Sequence, residues 1–187
     1  MTSVSQQQIQ IELESEEQLL WASQPIQGIR LRSSDVLLIP FSLMWGGFAI
    51  FWEFSVIRSG APFFFSIWGI PFVLIGIYLI LGRFIVDNLQ RSKTYYGITN
   101  NRLIIKSSKG IKCLTLRGLS DITLNEKSDG SGTISFGSID SRYAPFADGG
   151  WPGMSRYLPP RFDMIEEVRQ VYAKIREAQK SAKSVHA

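Results

Sequence analysis

One cysteine, Cys113, and one histidine, His186, are all the thiol and imidazole chemistry in this 187-residue chain. A lone cysteine excludes an internal disulfide and any thiolate metal cluster. Its place in the alternating run 111–116 reads as an ordinary strand position. The histidine is the penultimate residue, in a tail expected to fray, which removes most familiar catalytic and zinc arrangements. Carboxylates such as Asp121 and Asp140 stand alone, with no spacing that pairs them for acid–base work. Gly130-Ser131-Gly132 is too short for a phosphate-cradling loop and lacks the helix that must follow it. These absences predict a noncatalytic chain without metal or cofactor.

Charge is the second scarcity, and it is local. No Asp, Glu, Lys or Arg occurs in residues 36–52 or 59–82, and only Glu53 and Arg58 are charged between them. A helix rises 1.5 Å per residue, so a bilayer core of roughly 30 Å takes about 20 apolar residues per crossing. Residues 36–57 and 62–82 meet that length, with Trp45, Trp52, Trp68 and Tyr78 as interfacial aromatics. Soluble core helices rarely stay uncharged all round for so long, so a transmembrane hairpin over 36–82 is expected. Composition hides it: the chain is 45% hydrophobic, like an ordinary globular protein. The first run begins behind the acidic stretch 12–17, which argues against a cleaved signal peptide. Arg30 and Arg32 precede the first span, Arg83, Arg91 and Lys93 follow the second, and Arg58 alone sits at the tip. The positive-inside bias then places both termini in the cytoplasm. Gly46-Gly47 offers a close approach to the second helix or to a partner's helix. Glu53 reads as an interfacial residue, and two helices without interior charge offer no ion relay.

Residues 1–35 carry two basic and five acidic side chains, net −3, whereas residues 83–187 carry seventeen and ten, net +7. Anionic lipids attract basic side chains near the surface by about 1 kcal/mol each. The basic residues are scattered singly without stacking aromatics, which argues against nucleic acid as a partner.

After Lys93 the pattern turns to short strands: 94–98, 102–106, 111–116, 122–125 and 133–136, with turns at Asn100-Asn101, Lys109-Gly110 and Asp129-Gly130-Ser131-Gly132. This predicts an antiparallel meander of about five strands over 94–137. Residues 138–160 read as a long loop. Phe162, Ile165, Val168, Tyr172 and Ile175 then recur every three or four residues, predicting an amphipathic helix over 161–181 whose start is set by Pro159-Pro160.

A meander closed by a C-terminal helix resembles the pleckstrin-homology (PH) superfold. The run Tyr96-Gly97-Ile98-Thr99-Asn100-Asn101-Arg102-Leu103-Ile104-Ile105, directly after an apolar helical pair, resembles the opening strand–turn–strand of the bacterial PH-like domain family. Its aromatic, threonine and arginine fall here at Tyr96, Thr99 and Arg102. Trp21-Ala22-Ser23-Gln24-Pro25 and the block 35–52 resemble that family's membrane-anchored branch. The resemblance implies an α+β membrane protein: an N-terminal cytoplasmic segment 1–35, the hairpin 36–82, and a cytoplasmic PH-like β-barrel or sheet over 83–187, in the plasma membrane or another bacterial internal membrane. A full PH barrel has seven strands, so the rest must come from 138–160 or from 17–31. A contribution from 21–31 is favoured, which would make the hairpin an insertion between strands.

Two groups of residues are candidates for binding. Arg102, Lys106, Lys109 and Lys112, with Arg117, would neutralise anionic lipid headgroups if they converged; otherwise they are a solvated strand face. Arg142, Tyr143, Arg156 and Tyr157 form two Arg-Tyr pairs that would grip a partner or headgroup through cation and ring together, or pack the loop. The reading that follows is a noncatalytic membrane-anchored module binding a membrane-protein partner, a second copy of itself or anionic lipid headgroups, as an assembly or auxiliary subunit. The alternative is a small membrane enzyme or transport subunit whose site is shared with another chain.

Overall fold

The computed structural model describes residues 3–184; His186 and its expected fraying lie outside them. The chain forms two compact units. One is built from the stretch ending at Gly28, from Leu89–Asp140 and from the stretch beginning at Pro159; the other from Ile29–Asn88 and Ser141–Leu158. The architecture is mixed α+β with two antiparallel sheets and two long apolar helices.

Among the described residues the first unit holds seven strands. β1 (Leu19–Ser23), β2 (Tyr95–Thr99), β3 (Arg102–Ser107) and β4 (Gly110–Thr115) form one sheet in that order. β5 (Ile122–Glu126), β6 (Gly132–Phe136) and β7 (Arg161–Ile165) form the other. The five strands expected over 94–137 are β2 to β6. The sixth comes from upstream, as expected, although it covers Leu19–Ser23 and ends before Gln24-Pro25 instead of running to residue 31. The hairpin is therefore an insertion between two paired strands. No strand pairing joins the two sheets among the described residues, so the expected barrel is not closed.

The seventh strand corrects the expected helix over 161–181. Residues 161–165 form a strand, with Arg161 opposite Ser135 and Phe162 opposite Ile134, interrupted by a register shift and by Met164, whose φ is +50°. The helix, Val168–Ser184, starts only after Glu167, whose φ is +48°. Phe162 and Ile165 fit a helical spacing, but 161–162 pair with β6, Met164 at φ +50° cannot continue a right-handed helix, and Pro159-Pro160 favours extended backbone before them.

Alternation explains the core. Register puts Tyr96, Ile98, Leu103, Ile105 and Leu114 on one face of the four-stranded sheet. That face packs with Ile134, Phe136 and Phe162 of the second sheet and with Val168, Val171 and Ile175 of the last helix. Each such large side chain stabilises by about 1.5–3 kcal/mol when fully buried. The opposite face carries Gly97 and Ile104, and the short helix α1 (Val4–Gln10), capped by Ser3 and Gln6, lays Ile9 upon it. Gly97 is required there: a Cβ would stand 2.6 Å from Ile9 Cγ2.

The second unit is organised by α2 (Asp35–Arg58) and α3 (Phe63–Ile77), both parts of helices long and apolar enough to cross a membrane. The second helix does not stop at residue 82 as expected. It passes through one π turn, Tyr78–Gly82, into α4 (Arg83–Ser92). Of the paired glycines, Gly46 makes the close approach: a Cβ on Gly76 would lie 2.8 Å from Gly46 Cα, whereas Gly47 faces open space. Glu53 packs beside Gly69 and the Trp52 ring, with Oε2 buried and without a hydrogen-bond partner.

Candidate functional site

The basic residues of β3 and β4 do not converge. Lys106 lies opposite Ile111 and Lys112 opposite Ile105, so the two lysines project from opposite faces of the sheet. Lys109 sits exposed at the hairpin turn, and the Arg117 Nε donates to the Ala182 carbonyl at 3.0 Å. Arg102 and Lys106 share a face, but acidic side chains of the N-terminal segment occupy it. Arg102 pairs with Glu14 at 2.8 Å and Glu17 at 2.9 Å, and Lys106 pairs with Glu12 at 2.9 Å. The acidic run 12–17, which in sequence signals only that no cleaved leader begins there, is thus a strap along a basic strand.

Glu17 is its anchor. Its side chain is 2% exposed, and one oxygen takes bonds from both the Thr99 hydroxyl and Arg102 Nε. Burial alone would push its carboxyl up, but the bonds from Arg102, Thr99 and the Glu14 N–H outweigh that and hold it below the usual carboxylate value. A lowered folded-state pKa gives stability that is present above the unfolded pKa and lost as pH falls through the folded one. Glu17→Gln is therefore expected to lose about 1.5 kcal/mol at neutral pH and to show a shallower drop in urea midpoint below about pH 5 than the unsubstituted chain. A drop of equal steepness would remove Glu17 as its source.

The two Arg-Tyr pairs do come together. Short 3-10 helices at Ser141–Phe146 and Met154–Tyr157 bring Tyr143 and Tyr157 face to face, ring centroids 4.8 Å apart and planes within 6°. Arg142 lies over Tyr143 at 5.9 Å and Arg156 over Tyr157 at 5.2 Å. The second 3-10 helix depends on Gly153, whose φ of +78° few side chains tolerate, and Arg156 Nε donates back to its carbonyl. Both arginines and Tyr157 are exposed. Phe146 and Trp151 meet edge to face at 5.4 Å and close the middle of the loop on itself.

A third constellation escaped the sequence reading, which took Arg32 and Arg83 only as flanking charges. Just after the π turn, Arg83 Nη1 bonds Asp35 at the start of α2 at 2.5 Å, the two side chains 7% and 5% exposed. Arg83 Nε donates to the Leu79 carbonyl, its guanidinium lies 4.3 Å from the Phe84 ring, and its Nη2 is buried without a partner. Arg32 pairs with Asp87 at 3.1 Å, and its N–H donates to Asp35 Oδ2 at 2.6 Å. Asp148, from the long loop, accepts from Ser34 N–H at 2.6 Å and Gly150 N–H at 3.0 Å, while its carbonyl accepts from Arg32. Burial would raise the Asp148 carboxyl, but these N–H groups and the Arg32 charge hold it below its usual value. Opposite charges at the facing ends of two antiparallel apolar helices were the signal that could have revealed the Asp35–Arg83 pair.

Comparison of the chain with protein-family models, with curated proteins and with solved structures finds no match.

Proposed function

We propose that this chain is a noncatalytic, membrane-anchored module of PH-like fold that holds a membrane-protein partner, gripping an acidic segment of it with Arg142, Tyr143, Tyr157 and Arg156. The single observation behind this reading is the ladder of two stacked tyrosine rings flanked by two guanidinium groups, half-buried at Tyr143 and exposed at Arg142, Arg156 and Tyr157. Tyrosine and arginine dominate protein contacts because each presents a large, partly rigid surface with a polar end. The PH-like part of the reading is supported by four and three antiparallel strands followed by one C-terminal helix. The membrane part is supported by the two long apolar helices, whose side chains stay exposed along their length, as at Val36, Met44, Phe51 and Phe63. With Arg30, Arg32 and Arg83 at one end of the hairpin, both termini face the cytoplasm.

A second reading, anionic lipid headgroups, is favoured by the arginine cluster at the ends of α2 and α4. Purification from native membranes in mild detergent separates the readings. Tyr143→Ala combined with Tyr157→Ala is expected to reduce recovery of a stoichiometric protein partner at least tenfold, roughly the loss of one contact of 1.4 kcal/mol or more, with circular dichroism unchanged. Equal recovery would end the ladder's role, and turnover by the isolated chain would favour a small membrane enzyme or transport subunit instead.

A further inference from the structure

We infer that the cleft between Arg83, Arg32, Arg30 and the Gly149-Gly150 turn binds a phosphate group, carried by a lipid headgroup or free in solution. The inference deepens the lipid reading above and uses none of the ladder residues.

Arg83 carries the argument. Three of its guanidinium contacts are accounted for, with Asp35, the Leu79 carbonyl and the Phe84 ring, and all hold it in place. Its Nη2 has no such duty. It is buried, unpartnered, and part of a side chain 7% exposed. Leaving a charged donor desolvated and unpaired is costly, so an arginine fixed in this way is a donor awaiting an acceptor.

The cleft it lines is narrow, about 40 Å³, and bordered by Arg30, Arg32, Asp35, Arg83, Phe84, Asp87, Gly149 and Gly150. A water needs roughly 10–15 Å³ on the same scale, so the space suits one small polar group and excludes a whole metabolite. Three arginines face two aspartates in the lining, a net charge of +1. Asp35 is committed to Arg83 and to the Arg32 N–H, and Asp87 to Arg32. Asp148, behind the lining, is committed to the Ser34 and Gly150 N–H groups. Gly150 lets the turn close: a Cβ there would stand 3.0 Å from Arg32 Cδ and collide with Ser34. Planar guanidinium forks match the oxygens of a phosphate better than an ammonium does, and a phosphate presents several acceptors to donors arriving from different directions. The position also fits a lipid source, because α2 begins here and the charge-free run of the second helix stops at Arg83, and phospholipid phosphates lie where the hydrocarbon core stops.

The test uses the full chain in a maltoside detergent, titrated separately with inorganic phosphate and with dihexanoylphosphatidylglycerol and followed by calorimetry and thermal unfolding. Saturable binding of either probe is expected. Lipid alone identifies a headgroup, phosphate alone identifies a free anion, and both together mean that the phosphate group suffices. Arg83→Lys keeps the charge against Asp35 while removing the second arm of the fork, and is expected to weaken binding roughly tenfold. Arg30→Gln, at an exposed position, is expected to weaken it about fivefold without affecting the fold, and decides the matter should Arg83→Lys not fold. Tyr143→Ala with Tyr157→Ala should leave both titrations unchanged, so a failed ladder and a failed cleft remain distinguishable. Absence of saturable binding, or affinities within twofold of the original for both arginine variants, overturns the inference.

Discussion

Asp35→Ala is expected to destabilise the full chain by about 3–5 kcal/mol, the largest effect of any single charged residue here, because it leaves Arg83 buried and uncompensated. The side chains of this pair are 5% and 7% exposed, so water cannot replace the lost partner without opening the unit. Asp35 also accepts from the Arg32 N–H, at the entry to α2, so its removal frees a second donor. The double variant Asp35→Leu with Arg83→Met should recover most of the loss, since apolar groups of similar volume often match or exceed a buried ion pair. Denaturant unfolding in mild detergent, followed by tryptophan fluorescence, reads both. If Asp35→Ala cost under about 1 kcal/mol, the value of a solvated surface pair, the pair would be hydrated and would not organise the hairpin ends. Recovery in the double variant should come with loss of phosphate binding, which separates the pair's contribution to stability from that of Arg83 to the cleft.

What was legible in the sequence follows the range over which each interaction acts. The charge-free runs announced the hairpin because helix length and apolarity are properties of consecutive residues. Strand alternation and the turn pairs Asn100-Asn101 and Lys109-Gly110 are likewise local, and all five strands over 94–137 appear within a residue or two of expectation. The interactions that build candidate sites are not local. Glu17 meets Arg102 across 85 residues and Asp35 meets Arg83 across 48, distances over which no periodicity carries information. The Arg-Tyr pairs were visible as a composition, but their stacking depends on two short 3-10 helices and Gly153, which no local pattern announced. Lys106 and Lys112 show the opposite failure. They are close in sequence, yet the hairpin register sends them to opposite faces. Helix α1 was missed for another reason: seven residues with little apolar content give no periodic signal, and it is Ile9 on Gly97 that holds it.

Phe162 illustrates the boundary between the two kinds of information, and its truncation is the second large effect expected. Read as the first turn of a helix, Phe162 would sit near a fraying end, and Phe162→Ala would cost little beyond local contacts. As a β7 residue it is fully buried, its ring 4.6 Å from that of Tyr96 in one sheet and 5.1 Å from that of Phe136 in the other, with Trp21 of β1 at 6.0 Å. The next residue fixes the same junction: the Asp163 N–H donates to the Tyr96 hydroxyl at 3.0 Å. Removing the ring leaves a cavity bounded by both sheets, which neither sheet can fill alone, so Phe162→Ala is expected to cost about 3–5 kcal/mol. Phe162→Leu, which keeps much of the volume, should cost distinctly less, about 1–2 kcal/mol. Native-state hydrogen exchange distinguishes the two placements. A strand residue whose ring packs against both sheets predicts that Phe162→Ala speeds exchange at Ile98 and Ile134 together, since both residues belong to the core that the ring joins. Faster exchange confined to the amides of the last helix would instead place Phe162 at a helix end.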